Sequence, residues 1–142
     1  MIEMEFKVEI KAPKEKVWRT LWEDETFRNW ANIIDESTYI KGQIKEGNEI
    51  QFISSANGYG VTSLIDQLIP NEYILFKHLA DTKESGVQER KKEWTGGKES
   101  YSLIEKEGLT TLIVKMDLPI ELEEIFKKRL PKALEQIKVL AE

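Results

Sequence analysis

Met4-Glu5-Phe6-Lys7-Val8-Glu9-Ile10-Lys11 alternates apolar and charged residues. A period of two predicts a strand with Phe6, Val8 and Ile10 on its buried face. Ala12-Pro13 ends the alternation, and Pro13 suits the first turn of a helix, where a missing N–H costs nothing. Val17, Trp18, Leu21 and Trp22 then recur at helical spacing to about residue 22, and a second short helix carries Phe27 and Trp30. Apolar runs follow at about 36–41, 48–54, 59–69, 73–79, 99–106 and 110–117. Asn57-Gly58, Pro70-Asn71 and Glu107-Gly108 separate neighbouring runs, which predicts an antiparallel meander of hairpins.

The last element differs in kind. After Pro119, Leu122, Ile125, Phe126, Leu130, Ala133, Leu134, Ile137, Leu140 and Ala141 form one stripe of a helix of about twenty residues, with glutamate and lysine opposite. Pro131 removes one backbone hydrogen bond and predicts a bend or two abutting helices. A helix with one apolar stripe is not stable alone and must lie across the sheet. A twisted sheet wrapped around it seldom closes fully, and the gap becomes an interior pocket. The expected class is α+β: a curved antiparallel sheet of about six to seven strands, two short helices after the first strand, and a long C-terminal helix across the concave face.

Composition narrows the function classes. The 142 residues suit one domain, 1–142, with a real hydrophobic core. With no cysteine there is no disulfide framework, thiolate metal site or cysteine nucleophile, which suits a reducing cytoplasm. Met1-Ile2-Glu3-Met4-Glu5 lacks a secretory signal pattern, and no apolar run is long enough to span a bilayer, so a cytoplasmic protein without membrane insertion is expected. A net charge of -5 argues against nucleic-acid binding. The short basic clusters Lys91-Lys92 and Lys127-Lys128-Arg129 lie among glutamates and read as solvated faces. Three of the four tryptophans, Trp18, Trp22 and Trp30, crowd the two short helices, as a bulky core corner or a cavity wall.

Ile10-Lys11-Ala12-Pro13 through Val17-Trp18 with Leu21, then Trp30, Gly58-Tyr59-Gly60-Val61 and Pro70-Asn71-Glu72-Tyr73-Ile74-Leu75-Phe76 come in a recognisable order. Tyr101-Ser102-Leu103-Ile104-Glu105, Gly108-Leu109-Thr110-Thr111-Leu112 and Pro131-Lys132-Ala133-Leu134 complete it. Over nearly its whole length the chain resembles the SRPBCC or START-like superfamily, the helix-grip fold. Within it, the chain is similar to the C-terminal domain of the heat-shock-protein-90 ATPase activator.

The resemblance implies a hydrophobic cavity between the long helix and the concave sheet face. Strand alternation then places Ile50 and Phe52, Val61, Ser63 and Ile65, Ile74, Phe76 and His78, Tyr101 and Leu103, and Leu112, Val114 and Met116 inside. Phe126, Leu130 and Leu134 face them from the helix, and Trp22 and Trp30 close one end. The expected ligand-binding cavity comprises Trp22, Trp30, Phe52, Tyr59, Val61, Ser63, Phe76, His78, Trp94, Tyr101, Leu103, Leu112, Val114, Phe126 and Leu130. Trp94 closes the charged segment 80–98, long for a hairpin loop, as an anchor on the body or a gate over the cavity mouth. Glu89-Arg90-Lys91-Lys92-Glu93 within it could make a helical turn or two.

His78 is the lone histidine and has no recognisable partner motif, so it reads as a polar wall residue or a strand-end histidine bonded to backbone. Glu23-Asp24-Glu25 and Glu123-Glu124 read as helix-surface acids. No catalytic residue, metal site or cofactor is expected, and no GxGxxG or GxxxxGK motif occurs. The leading expectation is a non-catalytic binder of a small hydrophobic or amphipathic ligand of lipid, sterol or aromatic polyketide class, with Tyr59, Ser63, His78 and Tyr101 orienting its polar groups. The resemblance implies two alternatives: a protein-interaction domain with a chaperone partner, and a polyketide cyclase/aromatase-like enzyme.

Overall fold

The protein, here a computed structural model, is described over residues 1–84 and 94–142. In chain order the elements are β1 (Ile2–Ile10), α1 (Lys14–Trp22), α2 (Asp24–Ala31), β2 (Thr38–Lys41), β3 (Glu49–Ser54), β4 (Tyr59–Ile69), β5 (Tyr73–Lys83), β6 (Lys98–Lys106) and β7 (Leu109–Leu118). A 3-10 turn at Ile120–Leu122 leads into α3 (Glu123–Ala141). The strands form one antiparallel sheet in the order β1-β7-β6-β5-β4-β3-β2. It is the meander read from the sequence, with β1 returning to pair with β7. The curved sheet holding a long helix is the helix-grip arrangement.

Local chemistry explains the joints. Lys106 pairs with Leu109 across Glu107 and Gly108, both at positive φ (53° and 80°), the combination a two-residue hairpin turn requires. Pro13 precedes α1 without a side-chain cap, and Glu105 Oε1 from β6 instead accepts the Lys14 N–H at 2.8 Å. Thr110 Oγ1 donates to the Ala12 carbonyl at 2.6 Å in a buried setting, tying the β1–α1 corner to β7. The Trp30 indole N–H donates to the Leu21 carbonyl at 3.2 Å and locks α2 onto the end of α1.

α3 runs unbroken through Pro131, which corrects the expectation of two abutting helices. The proline forfeits one main-chain bond. Leu130, Ala133, Leu134, Ile137 and Ala141 are all buried along the helix, so a break there would disturb a continuous packed face. α3 packs on β1, α1 and α2. Its C-terminal end is fixed where Glu142 Oε2 accepts the Lys11 N–H at 2.8 Å.

Two irregularities re-aim the sheet's concave face. Thr62 pairs with Ala80 and Ser63 with His78, so Leu79 is an extra residue on β5. Ile65 pairs with Phe76 and Gln67 with Leu75, so Asp66 is extra on β4. Each bulge shifts the alternation by one. Beyond Leu79, Asp81 rather than Ala80 shares the inward face with Val61, and beyond Asp66, Leu68 faces in with Ile74. β5 also continues past the expected end at 79 to Lys83. The helical turn expected at 89–93 lies outside the described residues.

Candidate functional site: a half-hollow interior

The interior is filled at one end. Ile10, Leu103, Leu112, Leu130, Ala133, Leu134 and Ile137 are all buried where the second half of α3 packs over the sheet at β1. At the other end the first half of α3, with the 3-10 turn before it, spans the sheet without filling it. Leu122, Ile125, Phe126 and Arg129 roof a cavity of about 510 Å³, within the usual range of small-molecule sites. Its floor is Phe52, Val61, His78, Glu99, Tyr101 and Met116, and its side is Phe27, Trp30, Ala31 and Ile34. Gly60 also lines it, where β3 and β4 come so close that a Cβ would stand 2.0 Å from the Phe52 carbonyl oxygen. Asp35, Asn57 and Arg129, all exposed, form a polar rim.

Aromatic side chains seal the apolar end. Trp22 stands edge-on to Tyr101 (centroids 4.8 Å apart) and Phe76 (5.4 Å), and Phe52 meets Phe76 at 5.2 Å. Phe27 and Trp30 pack edge to face at 5.0 Å. The Trp22 rim also faces a shallower outer groove of about 300 Å³ with Trp18, Ile44 and Leu68.

One polar cluster breaks the apolar wall. His78, 3% exposed, approaches Ser63 Oγ through Nδ1 at 2.7 Å. Its Nε2 lies 3.5 Å from Glu99 Oε1, an ion-pair distance without hydrogen-bond geometry, and makes no hydrogen bond among the described residues. Glu99 Oε2 accepts the Tyr101 hydroxyl at 2.5 Å. Burial, and next the neighbouring Glu99 charge, push the Tyr101 phenol well above its ordinary pKa, so it stays a donor at neutral pH. The Trp94 ring covers this cluster, 5.6 Å from His78 and 5.8 Å from Phe126, and the Trp94 N–H donates to buried Asp81 Oδ1 at 3.2 Å.

Of the side chains expected at the cavity, the structure places Trp30, Phe52, Tyr59, Val61, His78, Trp94, Tyr101 and Phe126 on its wall. Phe76, Leu103, Leu112, Val114 and Leu130 do not line it: they face the same interior but are covered by packed neighbours, while Trp22, partly buried, borders the outer groove instead. Ser63 stands behind His78 as its hydrogen-bond partner. Sequence reasoning missed Glu99, whose signal was alternation itself: two residues before Tyr101, it shares that residue's inward face. Arg129 and Asp35 were also missed, because they lie on a helix edge and in a connection, where strand periodicity is silent. Among the described residues, no group of acidic or histidine side chains could hold a metal ion, and no helix is long and apolar enough to cross a membrane.

The family described as Activator of Hsp90 ATPase homolog 1-like protein matches residues 11–142. No curated protein matches the chain significantly in sequence. Among solved structures, the Aha1 dimer from Colwellia psychrerythraea is similar at 20% identity and TM-score 0.75, with 100% of this chain and 97% of that chain covered. MLL2253 from Mesorhizobium loti is similar at 13% identity and TM-score 0.76, covering 98% and 96%. DynU16, a putative protein in the dynemicin biosynthetic locus, is similar at 15% identity and TM-score 0.66, covering 96% of this chain and 46% of that one. At these identities the likeness is one of fold.

Proposed function

Because the chain belongs to the Activator of Hsp90 ATPase homolog 1-like protein family, within the SRPBCC helix-grip superfamily, we propose that it binds a small hydrophobic or amphipathic molecule between α3 and the sheet, without turning it over. The observation that carries the reading is the half-filled interior: a cavity of about 510 Å³ with an aromatic wall, one buried polar cluster and a polar rim. Phe52, Trp30, Trp94 and Phe126 supply contact area, while His78, Tyr101 and Tyr59 orient polar groups. Lipids, sterols and polyketide-like aromatics are the ligand classes that fit this mixture.

The test is a thermal-shift series against those three classes. A ligand of the folded state raises the melting temperature progressively with its concentration. No shift with any class, alongside a silent tryptophan fluorescence, would contradict the reading.

The family description supports a second reading, a chaperone partner bound on the outer surface. It predicts retention of the protein on immobilised Hsp90, undiminished by substitutions confined to the cavity. The His78–Glu99 approach favours a third, cyclase-like chemistry on a bound polyketide, which requires a product distinct from the ligand added.

A further inference from the structure

The polar cluster constrains which end of a ligand the buried wall accepts, and this inference rests on the cavity being a binding site. Tyr101 has spent its only donor on Glu99 Oε2. Glu99 Oε1 retains accepting capacity and faces the buried His78 Nε2 at 3.5 Å. Placing the imidazole hydrogen on Nε2, the side of the carboxylate, makes Nδ1 the acceptor of the Ser63 hydroxyl, and their 2.7 Å contact is compatible with either direction. The His78–Glu99 pair therefore presents one donor and one carboxylate acceptor side by side, not joined to each other, on the cavity wall.

A single hydroxyl satisfies both: its hydrogen goes to Glu99 Oε1 and its oxygen accepts from His78 Nε2–H. An ether can only accept, and an ionised acid can only accept while bringing a second negative charge against Glu99. Among the described residues, the cationic side chain on the cavity wall is Arg129; it is exposed at the rim, donates to the Ile34 carbonyl at 2.9 Å and makes no ion pair with Glu99. We propose that the site selects neutral hydroxyl-bearing ligands, phenols or alcohols, over acids of the same skeleton, with the hydroxyl seated between His78 Nε2 and Glu99 Oε1.

The experiment is displacement of the neutral fluorophore N-phenyl-1-naphthylamine from the purified full chain by 2-naphthol, 2-methoxynaphthalene and 2-naphthoate at neutral pH. The proposal expects 2-naphthol to compete at least about tenfold better than either analogue, as loss of a hydrogen bond to a charged group implies. In Glu99→Gln, checked for folding by circular dichroism, the naphthol-to-naphthoate ratio should fall toward one. If that variant does not fold, the ratio in the unsubstituted protein still decides. A bound fluorophore displaced equally by all three, or best by naphthoate, overturns the hydroxyl preference and leaves the cavity reading standing. A fluorophore that never binds removes the cavity reading and this inference together.

Discussion

The two ends of the interior share β6, β7 and the long helix, yet one is solid and the other hollow. At the solid end α3 presents Leu130, Ala133, Leu134 and Ile137 to the sheet, all buried. At the hollow end it presents Ile125, Phe126 and Arg129, with Leu122 from the preceding 3-10 turn, none of them buried, over about 510 Å³ of unfilled space. The division falls along the strands rather than between them. On β6, Leu103 is packed against the solid end while Tyr101 and Glu99 face the hollow one. On the proposed reading, stability and binding fall to opposite halves of single elements, and substitutions can separate them.

The largest separation is expected from truncation. Leu130→Ala removes a side chain only 1% exposed and should cost about 3 kcal/mol in urea unfolding. Phe126→Ala, half-buried over space already empty, should cost about 1 kcal/mol yet weaken any cavity ligand. Equal stability losses would erase the proposed division.

Enlargement should show an opposite contrast of smaller size. Ala133→Leu forces extra methyl groups into a filled site and should cost about 2 kcal/mol. Val61→Phe extends into open cavity and should leave the unfolding midpoint unchanged or raised. A midpoint lowered as much by Val61→Phe as by Ala133→Leu would mean the hollow end is already filled.

The smallest effect is one of pH, and it belongs to the hollow end. Tyr101's folded pKa is raised by burial and by Glu99, so its contribution to stability is fully present below the ordinary tyrosine value of 10.0. That contribution is lost as pH rises from there toward the higher folded value. Tyr101→Phe should shrink this alkaline decline in thermal melts above about pH 10. An unchanged decline would place the responsible group elsewhere.

The fold was legible because it rests on periodicity. β1, the three helices and the meander follow from apolar spacing and turn residues, and each is present. Alternation also told which side of a strand faces in, but carries no information about how far along the strand the filler from α3 reaches. Leu103, Leu112, Val114 and Leu130 were expected on the cavity wall for that reason, and they lie under packed neighbours instead. Glu99 is hard to read from the sequence because a charged residue ordinarily marks a strand's outer face, whereas here it keeps the inward phase set by Tyr101 and is held by the Tyr101 hydroxyl. Asp81 and Leu68 changed faces through bulges at Leu79 and Asp66, which leave no mark in a pattern of period two.

The most direct test of the central claim is a fluorescence titration of the protein with N-phenyl-1-naphthylamine, run in parallel on Val61→Phe. A hollow end that serves as the binding site predicts saturable one-to-one enhancement in the unsubstituted protein and its loss in Val61→Phe, with the folded structure of the variant intact. Equal enhancement in both would place the bound probe outside this cavity and contradict the account.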